Sequence, residues 1–310
     1  MDNRFISMVL VLGLAVSSAG VIAGCAASKK AGADAVKAQP MPSDIDTILS
    51  SAPRVMWCAA HPDDESMMGA VLARASLYYG SPLHMLVLTR GEGGECGRPE
   101  GCLPDLGTVR EGEMKKVAQA YHAELQMERY WNAPLPVESF PPRHEIAKKW
   151  LSQGDPAELV AKAIRKFKPD VVLTFEPTHG FTGHPEHQVA SRFCTAGIRM
   201  AADKDKAIPG LEPFHVTHVY YGLNRLWPFV MLGKADPGPV TEEFDVELGC
   251  VGRKPCRDVM ADFTKFHRSQ KNDMGTVRRI KGWISVLPLR KTDPWKEIYD
   301  PYEPAGKPKM

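Results

Sequence analysis

The sequence has little net charge. Thirty-nine Lys and Arg stand against 37 Asp and Glu, a formal +2, so no basic excess is available to hold phosphates at many points along a nucleic acid. Nucleic acid is not an expected partner. Long hydrophobic runs are also scarce: the apolar stretch from Phe5 to Val16 is shorter than the roughly 20 residues that span a bilayer. Aromatic residues make up only 8% of the chain. What is present is a balanced composition, 44% hydrophobic and 25% charged over 310 residues, which excludes a disordered or fibrous protein and allows a sizeable core. The 26 Pro and 26 Gly point to many loops.

The short apolar run suits the core of a signal peptide. It closes on Ile22-Ala23-Gly24-Cys25, which looks like the lipobox of bacterial lipoproteins. On that reading residues 1–24 are a signal peptide, 25–43 a lipidated Cys25 with a flexible tether of Ala, Lys, Gly, Ser and Pro, and 44–310 a single domain. The protein would be exported and membrane-anchored through Cys25. A plain secretory signal or a single membrane anchor would equally export the domain. Six Cys remain. Cys96 and Cys102, and Cys250 and Cys256, are each six apart in Gly/Pro-containing loops, so short local disulfides are expected. Cys58 and Cys194 lie in apolar segments and read as buried thiols.

Arg54 to Ala60 and Leu83 to Thr89 are buried-strand patterns, as is Asp170 to Phe175. Helical spacing follows from Met68 to Tyr79 until Gly80, from about Thr108 to His122, and from Glu158 to Phe167, with a short strand near Leu125 to Tyr130. This alternation predicts an α/β, Rossmann-like, mostly parallel sheet with helices on both faces and a site at the carboxyl ends of the strands. The loops after Ala60, Thr89 and Phe175 should then carry function. A dinucleotide would need G-x-G-x-x-G after the first strand, but that turn is His61-Pro62-Asp63-Asp64-Glu65, whose carboxylates would repel a pyrophosphate. No nucleotide cofactor is expected.

His61, Asp63, Asp64 and Glu65 crowd one strand-to-helix turn. One of the Asp residues could simply cap the helix, but a cap needs only one. The second cluster runs from His179 to His187. His184 and His187 share a helical stripe with Ala190, Ser191, Cys194 and Ile198, so both imidazoles should face inward. Two His and one carboxylate with an open position form a recurrent catalytic zinc set. His179 and His144 read more simply as structural hydrogen-bonders. The long loop 91–107 is large enough to wall a pocket. Trp131, Tyr220, Tyr221 and Trp227 offer faces for sugar stacking, although a core role suits each of them better.

Ala60-His61-Pro62-Asp63-Asp64-Glu65 and His184-Pro185-Glu186-His187 resemble the LmbE-like, or PIG-L, family of zinc-dependent N-deacetylases. Arg110-Glu111-Gly112-Glu113 looks like the family's Arg-x-x-Glu element, and His267-Arg268-Ser269-Gln270 like its His-x-Ser-Gln segment. The resemblance implies that His61, Asp64 and His187 hold Zn²⁺ and that Asp63 is the general base. It further implies that His184 stabilises the oxyanion or protonates the leaving amine, and that Arg110 helps bind substrate. Glu186 stands where many relatives carry Asp and has no role in this scheme. Amide hydrolysis needs each of these functions. The helix terminus opposes protonation of His184, so an acid role there calls for a carboxylate that the sequence does not reveal.

The expected activity is removal of an N-acetyl group from a GlcNAc-type amino sugar in an envelope or extracellular glycoconjugate. The alternatives are an amidase acting on a larger N-acyl group and a non-catalytic, metal-containing glycan-binding lipoprotein. Fe²⁺ or Co²⁺ would fit the same ligands.

Overall fold

A computed structural model describes residues 44–304 except Lys234. The signal peptide, Cys25 and the tether lie outside the described residues. Among those described, no helix is long and apolar enough to cross a membrane.

The chain opens with helix α1 (Asp44–Leu49) and strand β1 (Val55–Ala59). Helix α2 (Glu65–Ala73), strand β2 (Leu83–Val87), helix α3 (Leu106–Ala120) and strand β3 (Ala123–Met127) follow. Helices α4 (Arg143–Leu151) and α5 (Pro156–Phe167) lead to strand β4 (Val171–Phe175) and the long helix α6 (Pro185–Ala202). Then come β5 (His218–Gly222), the short α7 (Trp227–Met231), β6 (Glu242–Asp245), α8 (Cys256–Phe263), α9 (Lys271–Ile280) and β7 (Val286–Thr292).

The seven strands lie in the order β3-β2-β1-β4-β5-β7-β6. The first five in that order pair in parallel, while β7 runs antiparallel to both β5 and β6. The expected mostly parallel α/β sheet is therefore present. Alternation along β1 explains why the strand reads as uniformly apolar. Val55, Trp57 and Ala59 enter one core with α2, α3 and α8, whereas Met56, Cys58 and Ala60 enter the other with α4, α5 and α6. Strand order reverses between β1 and β4, so the loops leaving their carboxyl ends flank a crevice.

Two boundaries differ from expectation. β3 begins at Ala123, two residues earlier than the apolar pattern indicates, because pairing of Ala123 with Leu83 sets its register. It is an edge strand and its burial is incomplete, which weakens its pattern. The helix expected to reach Tyr79 is α-helical only to Ala73 and continues as a wider π-helical turn, Arg74–Tyr78. Its Arg74 donates to Asp46 Oδ1 at 2.8 Å and to the Gly249 carbonyl at 2.5 Å.

Both expected disulfides, Cys96–Cys102 and Cys250–Cys256, are present, and Cys58 and Cys194 are free and buried. The C-terminal segment also has a structural job: Arg192 donates to the Asp300 carbonyl and Arg143 to the Glu303 and Pro304 carbonyls, strapping the segment over α4 and α6.

Candidate active site

His61 leaves the end of β1 and Asp64 stands at the start of α2. Asp64 occupies the capping position without capping, since its side chain makes no bond to the helix. Its Oδ2 instead accepts the backbone N–H groups of Ala60 and His61 at 3.0 and 2.9 Å. That leaves Oδ1 only 2.9 Å from His187 Nε2. His187 Nε2 in turn lies 3.1 Å from His61 Nδ1. Three donor atoms from two distant loops thus converge. In a tetrahedral zinc site, ligand atoms about 2.1 Å from the ion stand roughly 3.3 Å apart.

The far sides of both rings are engaged. His61 Nε2 donates to Glu186 Oε2 at 2.7 Å, and His187 Nδ1 donates to the Gly180 carbonyl at 2.9 Å. A metal-ligating His commonly directs its second nitrogen to such an acceptor, which fixes the tautomer and raises ligand basicity. Gly180 permits this approach: it has φ of +63°, and a Cβ there would lie 2.7 Å from His187 Cβ.

The electrostatics favour positive charge at this point. Burial opposes protonation of His61, yet Asp64 and Glu186 outweigh it and push its pKa up to about 10. Burial likewise opposes the charge on Asp64, but His187 and His61 hold its carboxyl well below the usual range. A divalent cation suits such a pocket, and its chemistry fits the donor set of two imidazoles and a carboxylate.

Asp63 sits beside this cluster at φ +107°, a conformation rare for a residue with a side chain. The strain is held from two sides: Glu65 Oε2 accepts the Asp63 N–H at 3.0 Å, and Gln270 Nε2 donates to Asp63 Oδ2. Burial, then the charge of Asp64, push the Asp63 carboxyl up to about 7, against Arg110, His267 and His61. A group titrating there is matched to accepting a proton near neutrality.

His184 stacks on His187 with ring centroids 4.7 Å apart and meets His61 edge-on at 4.9 Å. Its Nδ1 accepts the Glu186 backbone N–H at 3.2 Å, so the hydrogen resides on Nε2. Burial, then the neighbouring charges of His187 and His61, hold its pKa well below the ordinary value. His184 is a neutral donor, with no carboxylate bonded to its ring among the described residues. One nitrogen each of His61, His184 and His187 also lie within 4.8 Å of one another, which makes a three-histidine set a second geometric option.

Arg110 is buried beneath the glycine-rich loop. A Cβ on Gly94 would lie 2.5 Å from its Nη2, so a larger residue there would displace the guanidinium that the loop covers. Glu113, three residues on, accepts Ser269 N at 2.9 Å and Ser269 Oγ at 2.6 Å. His267 Nε2 donates to Glu65 Oε1 at 2.7 Å. The Arg110–Glu113 and His267–Gln270 motifs are therefore one bonded unit behind the His61–Glu65 turn. Loop 91–107 closes against it, with Gly97 N donating to the Ser269 carbonyl.

Glu186, given no role by the sequence, is fully buried. Besides His61 it accepts Asn132 Nδ2 at 2.6 Å and Ala133 N at 2.8 Å. In the sequence it is an acidic residue in the first turn of a helix, which the dipole alone would explain. Asn132 likewise had no signal. Of the aromatic candidates, Tyr220 and Tyr221 are core residues, and Trp131 lies under Lys149 Nζ at 3.6 Å. Trp227 is exposed. His144 pairs with Glu145 at 3.2 Å, away from these residues, and His179 groups with Glu176 and Asp236. A cavity of about 660 Å³ beside β3 and α5 contains none of the site residues.

Residues 56–198 match the sequence profile of the GlcNAc-PI de-N-acetylase (PIG-L) family. A deacetylase of 1D-myo-inositol 2-acetamido-2-deoxy-alpha-D-glucopyranoside from Thermobifida fusca is 31% identical over 215 residues, covering 63% of this chain and 71% of the relative. The chain belongs to the PIG-L family. Other PIG-L relatives of the same name are 29% identical, from Kineococcus radiotolerans, and 33% identical, from Thermobispora bispora. Those alignments cover 60% and 54% of this chain, and the chain spans only 57% and 58% of those two relatives.

Two solved structures share the fold. N,N'-diacetylchitobiose deacetylase from Pyrococcus horikoshii has a TM-score of 0.54 at 16% identity, covering 78% of this chain and 85% of its own. GalB, the 4-carboxy-2-hydroxymuconate hydratase of Pseudomonas putida, has 0.56 at 14%, covering 77% and 95%. A deacetylase and a hydratase on one scaffold show that the fold alone does not fix the reaction.

The relatives correct the expected localisation. Exported, membrane-anchored placement on the periplasmic or cell-surface side rests on the N-terminal apolar run and the Ile22–Cys25 lipobox, and it accompanies an envelope glycoconjugate as substrate. The substrate in the relatives' names is instead an inositol glycoside of one acetamido sugar, a small polar molecule that calls for no membrane attachment. The membrane partner inferred through lipidated Cys25 has no support among them.

Proposed function

We propose that the protein is a zinc-dependent N-deacetylase of a GlcNAc-type amino sugar, with His61, Asp64 and His187 holding the metal. The observation that carries this reading is the convergence of Asp64 Oδ1 and His61 Nδ1 on His187 Nε2, at 2.9 and 3.1 Å, beside a strained Asp63. The names of the relatives support the acetamido sugar as substrate class.

When bound, zinc supplies Lewis-acid polarisation of the acetamide carbonyl and a lowered water pKa. The chain's own residues do the rest. Asp63 takes the proton from the attacking water as its oxygen bonds to the carbonyl carbon. Gln270, donating to Asp63 Oδ2, keeps that carboxylate turned toward its task. His184 donates from Nε2 to the carbonyl oxygen as negative charge develops there, a role its neutral state suits better than that of an acid. The C–N bond then breaks, the amine nitrogen takes the proton held on Asp63, and acetate and the free amino sugar leave. Arg110, buried against Asp63, keeps positive potential at the base and binds substrate through the loop that covers it.

The test is acetate release from N-acetylglucosaminyl inositol, N-acetylglucosamine and chito-oligosaccharides by zinc-loaded protein. Release that disappears on chelation and returns with zinc is expected. No release from any of these substrates overturns the reading.

A further inference from the structure

Gln270 faces the catalytic turn, but its neighbours His267, Arg268 and Lys271 line a separate cavity of about 230 Å³. Arg98, Lys265 and Arg278 complete its charged wall, and no carboxylate lines it. Five cations thus meet, Arg98 from the loop after β2 and the other four from residues 265–278. Outside the wall, Glu100 accepts from Arg98 Nη2 at 2.7 Å and Arg268 Nη2 at 2.8 Å, while Asp262 is shared between Lys265 and Lys254. Lys271 and Arg278 have no ion pair among the described residues. The Arg278 guanidinium is nonetheless held, donating to Thr264 Oγ1 at 3.0 Å.

A second observation concerns His267, which lines the same cavity. His267 is 1% exposed; its Nε2 is committed to Glu65, while its Nδ1 is buried with no hydrogen-bond partner. Burial opposes protonation of this ring, but Glu65 outweighs it and raises its pKa, which favours the imidazolium form in which Nδ1 is a donor. A buried donor without an acceptor is rare in a folded protein and marks a missing partner.

We propose that this cavity binds a phosphoryl oxyanion through His267, Lys271 and Arg278. Three donors on one cavity wall suit a tetrahedral group with three or more acceptor oxygens better than a carboxylate with two, and the volume admits a phosphate with part of its ester. The proposal stands apart from the deacetylase reading, since Lys271 and Arg278 take no part in that chemistry and the test does not involve turnover.

Calorimetric titration of metal-loaded, full-length protein with inorganic phosphate, methyl phosphate and dimethyl phosphate, at constant ionic strength, tests it. Saturable binding with one equivalent is expected. The Lys271→Ala/Arg278→Ala double variant should lose at least tenfold in affinity while melting at the wild-type temperature. Arg278→Glu, a second variant that keeps the side-chain bulk, should abolish binding. Tighter binding of methyl phosphate assigns the cavity to a terminal phosphate; tighter binding of dimethyl phosphate assigns it to a phosphodiester such as a lipid headgroup. Binding that survives both variants belongs to the metal centre and overturns the proposal, as does the absence of binding by all three anions.

Discussion

Neighbouring carboxylates in one turn do different work because the backbone aims them differently. Asp64 Oδ2 is fixed by two backbone N–H groups and Oδ1 faces His187, whereas Asp63 is turned away at positive φ toward Gln270. On the proposed roles, Asp63→Asn should retain zinc while kcat falls on the order of 10²–10⁴-fold, as for loss of a general base. Asp64→Asn replaces the anionic ligand by a neutral amide and should lose zinc on dialysis, with activity partly restored by excess metal. Metal analysis beside kinetics on both variants separates them; loss of zinc from Asp63→Asn and not from Asp64→Asn would mean the roles are reversed. Glu186 leads to a second prediction. Glu186→Gln keeps the size but removes the charge facing His61 Nε2, and should weaken zinc affinity about 10–100-fold. Glu186→Ala should in addition lower the melting temperature, because Asn132 Nδ2 and Ala133 N lose their acceptor at about 1–3 kcal/mol each. Chelator competition measures the first effect and thermal unfolding the second; wild-type zinc affinity in Glu186→Gln would leave Glu186 a purely structural residue.

At the level of elements, the site depends on how closely α6 lies against its neighbours, since α6 carries His187 and Glu186. Its Gly197 faces α5, where a Cβ would meet Val160 Cβ and Cγ1 at 2.5 Å and the Ala157 carbonyl oxygen at 2.9 Å. Gly197→Ala gains up to about 1 kcal/mol of helix propensity, but forcing the helices apart typically costs about 1–3 kcal/mol. Net destabilisation by urea unfolding is the expected outcome; a stabilised variant would show that the two helices have room to give. The elements that bear the site were largely legible. β1, β2 and β4 are buried on both faces and read as unbroken apolar runs, and α5 carries Asp155 as cap, Pro156 at its first position and an apolar stripe. β3 was legible only approximately, because an edge strand is half solvated and its register comes from β2. The last three strands were not read at all: β5 opens on His218 after a long irregular connection from α6, β6 is four mostly acidic residues, and β7 is interrupted by Pro288 and ends in charge, so none presents an unbroken apolar run.

Over the whole molecule, two local disulfides tie down segments that the sheet does not hold. Cys96–Cys102 closes the loop that docks on Ser269, and Cys250–Cys256 joins the connection after β6 to α8. Short loops of this size restrict the unfolded chain by about 2 kcal/mol each in the chain-entropy model. Reduction should therefore lower the melting temperature without loss of the fold, and non-reducing peptide mapping should recover both pairs; four free thiols in folded, oxidised protein would contradict the bridges. The local chemistry was determined by the sequence itself: the parallel αβ alternation, the two His-rich loops at strand ends and the six-residue Cys spacings are short-range patterns, set by side-chain periodicity and turn composition. What joins those patterns spans 125 to 207 residues of chain. That Glu186 reaches His61, that Gln270 holds Asp63, and that His267, with one unpartnered nitrogen, lines a basic cavity were decided only by tertiary packing, because a hydrogen bond depends on distance and direction in space, which separation along the chain does not encode.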